Sequence, residues 1–85
     1  MQVAIHRIGR KWFVIVKWED ALFKWNGHSF QELGYDDESV KNYGSEKEVV
    51  AACKDCGFTV EALLTGLPKK KEDEVWDKVQ ALLET

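Results

Sequence analysis

The pattern of hydrophobic and polar positions changes character about a third of the way along the chain. Before that point, apolar residues alternate with polar ones or form short apolar runs, as in β-strands. The clearest strand is 11–18, with tryptophan and valine at even positions and Phe13 and Ile15 on the opposite face. A strand that is apolar on both faces is usually central in its sheet and covered on both sides.

Three further strands are predicted, over 3–8, 21–25 and 28–33. Asn26-Gly27 separates the last two and favours a two-residue type I′ turn, because both residues accept positive φ. That turn would set Phe23 opposite Phe30. One face of the hairpin would then carry Phe23, Trp25, His28 and Phe30, and the other Leu22 and Lys24.

The second part of the chain has helical patterns. Ser45-Glu46-Lys47-Glu48 is a capping box that begins a helix running to about Cys56, and Gly57 ends it. Thr59 is predicted to cap a short helix through Leu64, and an amphipathic helix follows over 72–84, anchored on the sheet by Trp76. The predicted fold is one α+β domain, 1–85: a three- to four-stranded antiparallel sheet in the N-terminal half, packed by two or three helices in the C-terminal half.

Charge is segregated along the chain. Residues 1–30 hold five basic and two acidic side chains, a net of +3, whereas 31–85 hold seven lysines and thirteen carboxylates, a net of −6. Three of the four tryptophans lie in the basic part. Two unlike surfaces favour oriented association with a partner. No apolar run is long enough to cross a membrane and no signal peptide is visible, so a cytoplasmic protein with reduced cysteines is expected.

The residues with catalytic or metal-binding chemistry form no specific motif. Cys53 and Cys56 are expected to pack in the core, reduced and metal-free; a redox pair and a zinc site are the alternatives, and zinc would need His6 and His28 as further ligands. The acidic runs are typical of solvated surface, and no glycine-rich phosphate loop is present. The sequence therefore predicts a protein that is not an enzyme and holds no cofactor.

The leading hypothesis is a small non-enzymatic protein-binding module, a regulator or inhibitor with an acidic or tryptophan-rich surface that meets a protein partner, for example a basic one. In size and charge the chain resembles small acidic inhibitors encoded by phages, a similarity of composition. Tryptophan is enriched in binding hot spots. The candidate partner-binding residues are Trp18, Lys24, Trp25, Asp36, Asp37 and Glu38.

The alternative hypothesis is single-stranded nucleic-acid binding through the basic aromatic sheet of residues 1–30. There, rings would stack on bases and lysines would hold phosphates. Binding to duplex DNA is not expected. Residues 46–66 have the spacing of a helix-turn-helix, but the segment 60–64 that would read the groove has no lysine or arginine.

Overall fold

The computed structural model describes residues 1–32 and 40–84, and it confirms the α+β class. A mixed sheet of five strands in the order β4-β3-β2-β1-β5 packs against two helices. Strand β2 is central, as predicted. In chain order the elements are β1 (Gln2–Ile8), β2 (Lys11–Trp18), β3 (Ala21–Trp25), β4 (Phe30–Glu32), α1 (Glu46–Asp55), β5 (Thr59–Leu64) and α2 (Lys69–Glu84).

The first three strands form an antiparallel meander with two-residue turns. Ile8 pairs with Lys11, and Trp18 pairs with Ala21, so Gly9-Arg10 and Glu19-Asp20 make the connections. The first residue of each turn lies in the left-handed region, with φ of 61° at Gly9 and 55° at Glu19. Glycine adopts this conformation freely, whereas glutamate does so only at a cost in conformational energy.

The hairpin between β3 and β4 has a longer turn than predicted. Trp25, rather than Phe23, lies opposite Phe30, so the loop contains four residues. The Asn26 carboxamide oxygen accepts hydrogen bonds from the amides of His28 and Ser29, at 2.8 and 2.7 Å. This side chain thus stabilises a wider turn, and because the register shifts by two residues, Trp25 and Phe30 still share a face.

The segment 59–64, predicted as a helix, is a strand that pairs in parallel with β1 at the edge of the sheet. A bulge at Glu61 explains the error. The register shifts there, so that Val60 pairs with Val3 and Leu63 with Ile5, and both side chains face the core although they are three residues apart. That spacing imitates a helix. No helix-turn-helix therefore exists over 46–66.

Helix α1 begins and ends where the sequence predicts. The Ser45 hydroxyl accepts a hydrogen bond from the Glu48 amide at 3.3 Å, while the Glu48 carboxylate accepts one from the Gly44 amide at 2.7 Å. The predicted capping box is thus confirmed, with the return bond displaced by one residue. At the other end Gly57 has φ of 74°, and the Phe58 amide donates to the Cys53 carbonyl at 2.8 Å, which closes a Schellman motif.

Helix α2 begins three residues earlier than expected and packs along α1. Val79 is its fully buried side chain, while Trp76 is half-buried against the core. The core lies between the helices and one face of the sheet. Its buried members are Val3, Ile5, Trp12, Val14, Val49, Val50, Cys53, Val60, Leu63 and Val79.

Candidate functional site

The sheet presents two unlike faces, which the strand registers define. The first face contributes Val3, Ile5, Val14 and their neighbours to the core beneath α1 and α2. The opposite face, called the second face below, has neither described helix packed on it. Its strand positions are Gln2, Ala4, His6, Ile8, Lys11, Phe13, Ile15, Lys17, Leu22, Lys24, Gln31, Thr59, Ala62 and Leu64. Glu61, the exposed bulge residue between the core-facing Val60 and Leu63, also points away from the core.

Exposed apolar side chains concentrate on the sheet. Among the described residues, the large hydrophobic side chains classed as exposed are Met1, Ile8, Trp18, Leu22 and Leu64, and none belongs to a helix. Ile8, Leu22 and Leu64 lie on the second face. Leu22 and Leu64 lie at opposite corners of this face, separated by three strand spacings across the sheet and four residues along it. Standard strand dimensions convert this separation to about 20 Å.

The centre of the second face holds a cluster of Lys24, Phe13 and His6. The Lys24 Nζ atom lies 4.6 Å from the centroid of the Phe13 ring, a cation–π contact. The His6 ring is 6.4 Å from the Phe13 ring, tilted by 53°. Burial, and secondarily the positive charge of Lys24, lowers the pKa of His6 below its ordinary value. The imidazole is consequently neutral at neutral pH.

Lys24 is unusual because it is a lysine buried near the centre of the second face, together with Phe13 and Ile15. Only 8% of its surface is exposed, and no carboxylate among residues 1–32 and 40–84 pairs with it. Lysines are almost never this buried unless they are paired.

The structure does not bring together the site residues predicted from the sequence. Trp18 is 68% exposed at one end of β2 and follows the first-face alternation. Trp25 lies on the same face, but it is four residues along β3 from Ala21, the partner of Trp18, a distance of about 13 Å. Lys24 lies on the second face. Asp36, Asp37 and Glu38 lie outside the described residues. The prediction that these six form a binding site remains untested.

Trp25 belongs to an aromatic corner at the edge of the core. Its ring packs on Phe30 at 5.0 Å and edge-on against Phe58 at 5.2 Å. Its side chain also hydrogen-bonds Tyr43, whose pKa is raised chiefly by burial and then by the nearby Cys56 and Cys53. Tyr43 exchanges backbone hydrogen bonds with Trp12 at 2.8 and 2.9 Å. It thereby pairs with the part of β2 that lies beyond the end of β3. In the free chain, Trp25 thus stabilises the fold.

The two cysteines have different environments. Cys53 is fully buried in the core, and both thiols are free. Cys56 is exposed, which corrects the expectation that both are buried: it is the C-cap of α1, where the chain turns away from the core. Burial, and then the neighbouring Cys56, raises the pKa of Cys53 to about 11. Within 1–32 and 40–84, no three histidine, cysteine or acidic side chains cluster as metal ligands would.

A shallow groove runs between the two helices. It is lined by Glu46, Lys47, Lys78, Ala81 and Leu82. Charges of both signs lie along it, and it is open to solvent rather than enclosed. A site for a small molecule is normally a concave, mostly apolar pocket that buries most of its ligand. The groove therefore has the form of a solvated helix–helix boundary.

Comparison with protein-family models, curated proteins and solved structures finds no match for this chain. None of the described helices is long and apolar enough to cross a membrane. Function must therefore be argued from the side chains themselves.

The sequence singled out Lys24 as a candidate, but together with Trp18 and Trp25 rather than with its actual neighbours Phe13 and His6. The alternation of β3 placed Leu22 and Lys24 on the face opposite Phe23, and the register confirms this. It did not reveal that His6, Phe13 and Leu64 join them. Leu64 reaches this face only through the parallel pairing of β5 with β1, for which the local pattern gave no signal.

Proposed function

We propose that the chain is a small non-enzymatic module that binds a protein partner on the second face of its sheet. The observation that carries the proposal is the uneven distribution of exposed apolar side chains. The described helices direct their large apolar residues inward, while Ile8, Leu22 and Leu64 remain exposed on a sheet face that neither helix covers. Large apolar patches mark protein interfaces, and these three side chains share one face of the sheet although they are spread across it.

The dimensions of the second face also support a protein partner. The face is four strand spacings wide, about 19 Å, and its exposed apolar corners lie about 20 Å apart. That span suits one helix or strand of a partner laid across the face. It exceeds the reach of a small molecule.

The aromatic residues favour a protein partner over a single-stranded nucleic acid. Base stacking requires exposed rings. Trp12 is buried in the core, Trp25 packs in the aromatic corner, and Phe13 is only 9% exposed beneath Lys24. Trp18 is the one tryptophan of residues 1–30 left exposed, and it lies outside the second face. The alternative hypothesis thus lacks a platform of stacking rings.

Trp18 and Leu22 provide a matched pair for testing this proposal. They flank the same turn and both are exposed, but Trp18 lies on the first face of the sheet and Leu22 on the second. The experiment is affinity capture from the source cell with quantitative mass spectrometry. The baits are the wild-type chain, the double variant Leu22→Ser/Leu64→Ser and the control Trp18→Ser, each first shown to be folded by circular dichroism.

The proposal predicts a protein that the wild-type and Trp18→Ser baits retain and the double variant loses by about tenfold or more. Loss with Trp18→Ser alone would instead locate the interface at the exposed tryptophan. Equal recovery by all three baits and by the affinity tag alone would contradict a specific protein partner on this face.

A further inference from the structure

We propose that the hairpin tip formed by residues 18–20 is a second docking site, which receives an arginine side chain of a protein partner. The site lies at the end of β2 on the first face, so it is independent of the interface proposed on the second face. Trp18 is 68% exposed, whereas the other three tryptophans are buried or half-buried. An exposed indole leaves a large apolar surface in water, and tryptophan is enriched in binding hot spots.

The strand pairing explains why this ring is uncovered. β1 pairs with β2 only as far as Ala4 and Ile15. Beyond Ile15, β2 pairs with β3 alone within the part of the chain that the structure describes. Trp18 is the last residue of β2, so its indole lies at the tip of a two-stranded hairpin.

The charges around the indole are negative. Glu19 and Asp20 follow Trp18 directly and are both exposed. Glu32 lies on the same face of the sheet, about 12 Å from Trp18 by standard strand dimensions. Every lysine of β2 and β3 lies on the second face. A positively charged group of a partner is therefore complementary to the hairpin tip, whereas a nucleic-acid phosphate is repelled by it.

An arginine side chain suits both the ring and the carboxylates. Its planar guanidinium group stacks on an indole and donates two parallel hydrogen bonds to a carboxylate. The fold already contains the first of these contacts, because the Arg7 guanidinium carbon lies 5.6 Å from the centroid of the Trp12 ring. Glu19, the residue next to the exposed indole, has φ of 55°, and backbone strain of this kind clusters at functional sites.

Apolar groups beside the hairpin tip favour a protein segment over a free cation. Val16 and Phe23 pair directly on the first face, and both are half-buried. With the Trp18 indole they form a strip along the hairpin, against which apolar residues flanking the arginine can pack. A free guanidinium ion at an exposed carboxylate would gain little, because water screens the pair.

The test is a selection of displayed random dodecapeptides on the wild-type protein, followed by fluorescence anisotropy of the enriched peptides. In each peptide, arginine is replaced by citrulline, which has nearly the same shape and no charge. Trp18→Leu removes the aromatic ring and keeps an apolar side chain, and Glu19→Gln removes one charge. The controls are Leu22→Ser, on the other side of the same turn, and Glu61→Gln, at an exposed carboxylate of β5. Circular dichroism first shows that each variant is folded.

We expect enriched peptides that contain arginine next to apolar residues. The citrulline substitution and Trp18→Leu should each weaken binding about fivefold or more, and Glu19→Gln about threefold. Both control variants should change the affinity less than about twofold. The citrulline substitution and Trp18→Leu together should weaken binding by less than the product of their separate effects, because they remove the same contact.

Other results would overturn the inference in distinguishable ways. Enriched peptides without arginine that still depend on Trp18 would refute the cation and leave docking at the ring intact. Absence of enrichment, or binding unchanged by Trp18→Leu, would refute the site. Peptides weakened by Leu22→Ser instead of by Trp18→Leu would support the second face alone, so the two proposals fail separately. Self-association lost in Trp18→Leu would assign the hairpin tip to a second copy, and tighter binding of a fifteen-residue oligothymidylate than of any peptide would assign it to nucleic acid.

Discussion

At the scale of single residues, the burial of a side chain decides its chemistry more than its sequence motif does. Cys53 and Cys56 form a C-x-x-C motif, yet one thiol is in the core and the other at the surface. Helical periodicity predicted correctly that Cys53 faces the core. It failed for Cys56 because the Schellman motif, rather than a further helical turn, sets the position of the last residue.

The two thiols should consequently react at very different rates. We expect one equivalent of iodoacetamide to modify Cys56 rapidly at pH 8, while Cys53 stays unmodified until the protein unfolds. Cys53 is inaccessible, and its pKa of about 11 leaves almost no thiolate. Peptide mapping by mass spectrometry checks this, with urea-unfolded protein as the control. Equal labelling of both cysteines in the native state would contradict the buried position of Cys53.

His6 should make stability depend on pH. Its folded-state pKa is lowered by burial and by Lys24, so the unfolded chain binds more protons as pH falls through the ordinary histidine range. Stability is therefore complete above about pH 7 and decreases below about pH 6.5. We expect His6→Gln to reduce this loss in urea titrations between pH 7 and 5.5. The control is His28→Gln in the exposed turn, and an undiminished loss of stability in His6→Gln would argue against the assignment.

At the scale of secondary-structure elements, patterns within a short stretch of sequence correctly predicted the elements that short-range interactions stabilise. The alternation in 11–18 located the central strand and both of its faces, and the capping residues located α1. Strand β5 was missed because its pairing with β1 is long-range, and because the bulge at Glu61 gives Val60 and Leu63 a helical spacing. The turn after β3 was misjudged because the Asn26 side chain, rather than backbone preference alone, sets its length.

The turn between β2 and β3 contains strain that a substitution should relieve. Glu19 has φ of 55°, a conformation that glycine adopts at little cost. We expect Glu19→Gly to raise the free energy of unfolding by about 0.5–1 kcal/mol, measured by urea denaturation. Asp20→Gly is the matched control in the same turn. Asp20 lies outside the left-handed region, so its replacement should be neutral or destabilising. A destabilised Glu19→Gly protein would show that the glutamate side chain stabilises the turn in another way.

At the scale of the whole molecule, a sheet covered by helices on one face explains both stability and the proposed binding. The helices and the first face supply the core, while the second face has a lysine-rich surface with exposed apolar corners. The sequence predicted a basic sheet and an acidic helical part. It could not predict which tryptophans are buried, because that depends on the side of the sheet on which the helices pack. The proposed binding surface thus became apparent only from the three-dimensional arrangement.

The most direct test of the central claim is a lysine-acetylation footprint of the chain, alone and with its captured protein bound. Lysines lie on both sides of the molecule, so the chain provides its own control. Lys11 and Lys17 are on the second face, and Lys54 and Lys78 are exposed on the helices. We predict that binding protects Lys17 from acetic anhydride and leaves Lys54 and Lys78 as reactive as in the free protein. Protection of the helix lysines with no change at Lys17 would contradict the account.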